Sequence, residues 1–110
     1  MDLFVYGTLA DPRLIRKLTG REFPMAPAIL RGYVKVFEAA TGYFVVRPSE
    51  GGAVRGRLIS GLDAEAIGRL DRYEGRLYRR ITVEVTDERT GAGRPAELYV
   101  PGEPRPGRDG

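Results

Sequence analysis

Four stretches of this chain alternate in side-chain character with the period of two that belongs to a β-strand. Leu30, Gly32, Val34 and Val36 alternate with Arg31, Tyr33, Lys35 and Phe37, and Val54, Gly56 and Leu58 alternate with Arg55 and Arg57. Ile81, Val83 and Val85 alternate with Arg80, Thr82 and Glu84, and Leu98 and Val100 with Glu97 and Tyr99. Leu3 to Tyr6 is bulky and apolar throughout and stops at Gly7, which predicts a short buried strand. Tyr43 to Val46 predicts a further strand, closed by Pro48 and by a turn at Gly51-Gly52, so that it pairs as a hairpin with Ala53 to Ile59. Gly32 marks a bend, and Thr90 to Gly93 a loop between the last two strands.

Only two stretches carry the helical period. Asp11-Pro12 supplies a cap and a first-turn proline ahead of Leu14, Ile15 and Leu18, and Gly20 ends that helix after two turns. Asp63 caps the second, which runs to Glu74 and is stopped by Gly75. Five or six strands with two short helices and no regular strand-helix alternation predict an α+β fold, a sheet curled toward a barrel rather than a doubly wound layer. A chain of 110 residues holds one such core. Residues 1–100 form the expected domain, and residues 101–110, rich in proline, glycine and charge, form a mobile or loosely packed tail.

Composition removes much chemistry. Cysteine and histidine are both absent, so disulfides, thiol nucleophiles, Ser-His-Asp triads and the usual thiolate or imidazole zinc sites are excluded. Carboxylates, phenols, guanidinium groups and the backbone are left to act. All but Lys17 and Lys35 of the 18 basic residues are arginine, but these are scattered beside acids, as in Arg21-Glu22, Asp71-Arg72 and Glu88-Arg89. That pattern predicts a solvated surface rather than a nucleic-acid stripe. No apolar run approaches the roughly 20 residues of a membrane span, and the first residues lack the layout of a signal peptide. The expectation is a cytoplasmic protein with no membrane or nucleic-acid partner.

The second helix contains one anomaly. At about 100° per residue, Ala66, Ile67, Leu70 and Tyr73 share a stripe, and Glu74 falls within it, one turn beyond Leu70. A carboxyl group aimed at a core has its pKa raised by desolvation, and the negative end of the helix dipole adds to the effect. Such a group suits general acid-base work near neutral pH. The competing reading is a salt bridge to Arg79 or Arg80, or a side chain turned outward at the helix end. Asp71 lies off the stripe and is expected to be solvated.

The turn Tyr6-Gly7-Thr8-Leu9, between the first strand and the first helix, offers a glycine and free N–H groups able to hold an anion or a developing oxyanion; a plain tight turn is the alternative. Tyr43, Tyr78 and Tyr99 could line a pocket or pack in a core. Arg80, opposite in strand phase to Ile81, could counter a substrate carboxylate or Glu74, or face solvent.

These residues resemble a known family. Phe4-Val5-Tyr6-Gly7-Thr8-Leu9 is similar to the Tyr-Gly-Ser/Thr-Leu signature of the γ-glutamylcyclotransferase-like, or AIG2-like, superfamily. Leu70-Asp71-Arg72-Tyr73-Glu74-Gly75 with Tyr78-Arg79-Arg80 resembles its second signature, in which a helix ends in the catalytic glutamate and Tyr-x-Arg opens the next strand. Gly56-Arg57-Leu58 and Ala96-Glu97-Leu98-Tyr99-Val100 resemble its Gly-x-Leu/Val strand and its closing strand, so the likeness runs over about residues 2 to 100. Many relatives carry Tyr-Pro where this chain has Tyr43-Phe44.

The resemblance implies a small mixed β-barrel with flanking short helices and a cavity between the first turn and the glutamate helix. It also implies an enzyme that cyclises a γ-glutamyl group into 5-oxoproline and releases an amine, with Glu74 as general acid and base and no metal or other cofactor. Tyr6, Gly7, Thr8 and Leu9 would bind the substrate's carboxylate or polarised carbonyl, and Tyr78 or Tyr99 would close the pocket. A module that binds a small carboxylate metabolite in the same cavity without chemistry is the alternative.

Overall fold

A computed structural model describes residues 1–102; the expected tail, apart from Pro101 and Gly102, lies outside the described residues. In chain order the elements are β1 (Leu3–Val5), a 3-10 turn (Thr8–Ala10), α1 (Pro12–Thr19), β2 (Met25–Glu38), β3 (Tyr43–Ile59), α2 (Ala64–Glu74), β4 (Tyr78–Asp87) and β5 (Gly93–Pro101). The five strands close into a barrel in the order β1-β3-β2-β4-β5, with β1 parallel to β5 and the other pairings antiparallel. The expected α+β class and curled sheet are thus what the chain forms.

Two strand faces make two cores. Phe4, Leu30, Val54, Leu58, Val85 and Leu98 fill the barrel. Leu3, Val5, Ile59 and Tyr99 point outward, where Ile15 of α1 and Ala66, Ile67 and Leu70 of α2 cover them. β1 contributes to both cores, which is why it carries no polar residue: Phe4 faces in, and its neighbours Leu3 and Val5 face the helices. The helices begin where their caps place them. Asp11 accepts a hydrogen bond from the Arg13 N–H at 2.9 Å, and Asp63 from the Ala66 N–H at 2.9 Å.

One expectation is corrected. No turn forms at Gly51-Gly52; Tyr43 to Ile59 is a single strand, and its hairpin partner is β2, through residues 39–42. Register jumps from Arg31↔Ala53 to Tyr33↔Pro48, so β3 carries extra residues opposite Gly32. Gly32 and Gly51, with φ of 85° and 81°, take the left-handed backbone that this bulge needs. Glycine and proline mark a bend here, as they would a reversal, and the ladder continues on both sides of it. The bend carries the tip of the β2–β3 hairpin away from the cores, leaving Val36, Phe37, Tyr43 and Phe44 exposed. Among the described residues no helix is long and apolar enough to cross a membrane.

β1 approaches β3 closely at Gly56. A Cβ there would run into the Val5 carbonyl oxygen and the Phe4 ring, the nearest ring carbon being 2.7 Å away. Gly56→Ala should therefore destabilise the protein by about 1–3 kcal/mol through overpacking. Gly68→Ala, in the interior of α2 where a Cβ would meet only the Arg72 side chain at 4.0 Å, should stabilise by about 0.5–1 kcal/mol through helix propensity. Denaturant midpoints of the two variants check the pair, and a neutral Gly56→Ala would contradict the close approach.

Candidate active site

β1 ends at Val5, and the chain leaves the barrel through Tyr6 and Gly7 into the 3-10 turn. That turn is closed by hydrogen bonds from the Ala10 N–H to the Gly7 carbonyl (2.9 Å) and from the Asp11 N–H to the Thr8 carbonyl (3.2 Å). A 3-10 turn begun at Thr8 offers its first N–H groups no acceptor within itself. A Cβ at Gly7 would meet open space, so this glycine answers no packing demand.

Beside this turn lies a cavity of about 480 Å³. Tyr6, Gly7, Thr8 and Leu9 form one wall, and Glu74, Tyr78 and Tyr99 a second. Lys35, Gly42, Tyr43, Phe44 and Tyr73 complete its mouth. Every site residue expected from the sequence lines this space except Arg80.

Glu74 comes from the end of α2. Ala66, Ile67 and Leu70 are buried against the outside of the barrel, and Glu74 continues their stripe past the rim. Gly75 ends the helix, its N–H bonding the Asp71 carbonyl at 3.0 Å. Tyr73, expected on the same stripe, is 46% exposed: the barrel wall ends below it and it faces the cavity mouth instead. Burial raises the pKa of the Glu74 carboxyl. Among the described residues no arginine or lysine forms an ion pair with it.

Of the five tyrosines lining the space, Tyr6, Tyr78 and Tyr99 feel the charge of Glu74. Burial, then the charge of Glu74, pushes Tyr6 up to about 12, while the Val46 backbone hydrogen-bonds it and works the other way. Tyr78 is raised by burial and by Glu74. Tyr99 is raised far above the ordinary phenol range by burial and by its hydrogen bond to Asp71. All three stay protonated in the neutral range, next to a carboxyl group that exchanges its proton more readily.

Arg80 stands elsewhere. Ile81 and Leu98 face each other inside the barrel, so the period of two puts Arg80 and Tyr99, paired across β4 and β5, on the outer face under α2. There Arg80 donates to both oxygens of Asp71 (2.8 and 3.2 Å) and to Glu97 (2.6 Å). The Tyr99 hydroxyl donates to Asp71 at 2.6 Å. Asp71 is thus not merely solvated: it clamps Tyr99, and Arg80 clamps Asp71. These three residues border an open groove behind the cavity, which shares Tyr78 and Tyr99 with it. Sequence reasoning missed Asp71, because its partners lie on a strand whose register is set only by barrel closure. Among the described residues no three acidic side chains gather into a group that could hold a metal ion.

The raised pKa of Glu74 fixes the sign of its effect on stability. The folded state disfavours the ionised form, so the stability tied to the neutral carboxyl is fully present below the ordinary value of 4.5 and lost as pH rises through the raised value. Glu74→Gln, neutral at every pH, should raise the melting temperature at about pH 8 and leave it nearly unchanged at about pH 4. Thermal unfolding at the two pH values checks this; a loss of stability at about pH 8 would contradict it.

A family model described as gamma-glutamyl cyclotransferase, AIG2-like, matches residues 3–109. Protein AIG2 B of Arabidopsis thaliana is 33% identical over 99 residues, covering 90% of this chain and 59% of that protein. AIG2-like protein C of the same plant is 32% identical over 99 residues, 90% of this chain and 58% of the relative. The chain thus spans about three fifths of the length of the curated relatives it matches. A solution structure from Arabidopsis thaliana superposes with a TM-score of 0.84 at 30% identity, over 91% of this chain and 61% of its own. A solved gamma-glutamyl cyclotransferase superposes with a TM-score of 0.77 over 94% of this chain and 67% of its own, and at 19% identity that likeness speaks for the fold. The barrel, the matched residues and these relatives together make this chain a member of the AIG2-like gamma-glutamyl cyclotransferase family.

Proposed function

We propose that the protein is a γ-glutamyl cyclotransferase that converts a γ-glutamyl amine or peptide into 5-oxoproline and a free amine, with Glu74 as its general acid and base. The observation that carries this reading is the Glu74 carboxyl group, half-buried at the cavity wall without an ion-pair partner among the described residues and facing neutral phenols. A structural carboxylate would have been paired; an unpaired one with a raised pKa is suited to accept and return a proton.

In this mechanism ionised Glu74 takes a proton from the substrate α-ammonium group. The freed amine attacks the γ-carbonyl carbon, the new C–N bond closes a five-membered ring, and the carbonyl oxygen becomes an oxyanion. N–H groups of the Tyr6 to Leu9 turn and the Tyr6 hydroxyl are the donors offered to that oxyanion or to the α-carboxylate. Protonated Glu74 then gives its proton to the leaving nitrogen as the original C–N bond breaks, and is ionised again. As the oxyanion collapses to the lactam carbonyl, the ring nitrogen gives its second proton to water, so the lactam is neutral and Glu74 ends the cycle as it began. Tyr99, held by Asp71, fixes the wall against which the substrate lies.

Incubation with a panel of γ-glutamyl compounds and assay of 5-oxoproline tests the reading. The expected result is 5-oxoproline from at least one member, with turnover reduced by roughly 100-fold or more in Glu74→Gln. No product from any member, or undiminished turnover in the variant, would overturn it; tight binding of an unchanged ligand would favour a binding module instead. The pH profile gives a second check. Because burial raises the Glu74 pKa, the acid limb of kcat/KM should have its midpoint above 4.5, rising with pH as Glu74 ionises. A limb at or below the ordinary carboxylate value would contradict the assignment.

A further inference from the structure

The cavity has two chemically different ends. Glu74, the first turn and Tyr6 bring polar groups to it, whereas Tyr43, Phe44 and Tyr73 bring exposed aromatic rings. Tyr43, Phe44 and Tyr73 stand there 60%, 51% and 46% exposed, among the few large apolar side chains that neither core covers. They come from two separate elements, the β2–β3 hairpin and α2, and converge on one opening. Phe44 is held in place: the Phe37 ring meets it edge-on with centroids 5.4 Å apart, and Lys35 Nζ sits 5.0 Å from its centroid. The Lys35 ammonium group therefore brings positive charge to the mouth.

From this arrangement we infer that the mouth is a leaving-group subsite for an aromatic ring, so that the protein prefers γ-glutamyl compounds whose released amine carries a ring and no positive charge. The inference rests on the proposed cyclotransfer and specifies its substrate class. With the γ-glutamyl head at Glu74, the substituent on the γ-nitrogen points along the cavity toward the mouth, where it meets Tyr43, Phe44 and Tyr73. A ring covers these exposed faces and removes their apolar area from water. A small alkyl group covers little of them. An ammonium group on the leaving chain would stand near Lys35, and like charges in a partly closed site repel.

Three compounds with one head group separate these cases: γ-glutamyl-phenethylamide, γ-glutamyl-ethylamide, and the γ-glutamyl amide of putrescine, which carries a terminal ammonium. The expected kcat/KM is at least about 10-fold higher for the phenethylamide than for the ethylamide, with the putrescine amide lowest. Phe44→Ala should bring the ratio of phenethylamide to ethylamide toward one. Turnover of the ethylamide or putrescine amide equal to or faster than that of the phenethylamide would overturn the inference and leave the proposed reaction standing. If no compound yields 5-oxoproline, the proposed reaction fails, and calorimetric binding of the same three compounds to Glu74→Gln decides the subsite. Tighter binding of the phenethylamide would support it, and equal or weaker binding would overturn it.

Discussion

The double burial of β1 is the constraint on which the remaining structure depends. Its three residues pair with β3 on one side and with β5 on the other, closing the barrel. Phe4 packs into the barrel while Leu3 and Val5 form the seat on which α2 lies through Ile67 and Leu70. Both halves of the candidate site hang from this strand. The Tyr6 to Leu9 turn is its direct continuation, and Glu74 is delivered by the helix packed on its outer face. A shift of β1 would move the turn and the glutamate together.

Placing a carboxyl group at the end of a buried stripe has a physical consequence. α2 is anchored by apolar contacts through Leu70, and one turn later its stripe passes the barrel rim into a cavity rather than a core. Glu74 therefore sits where desolvation is substantial but packing does not forbid a polar group. Its neighbours are phenols held protonated, which neither pair with it as cations nor compete with it as anions. The Arg80–Asp71–Tyr99 cluster lies one layer behind, where its ion pair positions the cavity wall from outside.

Much of this was legible in the sequence because it is local. Helical period placed Glu74 on the apolar stripe, caps and glycines bounded both helices, and the unbroken apolar run of Leu3 to Tyr6 pointed to a short buried strand. The failures are those of long-range information. Pro48 and Gly51-Gly52 carry the same chemistry in a turn and in a bulge, and only the pairing of β3 along β2 distinguishes them. On their own elements Asp71 looked solvated and Arg80 a candidate for the cavity; their meeting requires the register of β4 on β5 and the position of α2 across it. The exposure of Tyr73, Tyr43 and Phe44 likewise follows from where the barrel ends, which no local period reports.

The central claim is that Glu74 is a partly desolvated, cavity-facing carboxyl group without a counter-ion among the described residues. Carbon-13 NMR titration of the Glu74 side-chain carboxyl in the intact protein tests it most directly. The account predicts a midpoint above 4.5, and a shift of the resonance when a γ-glutamyl compound is added. A midpoint at or below 4.5, with a resonance indifferent to ligand, would show a solvated or ion-paired carboxylate and contradict it.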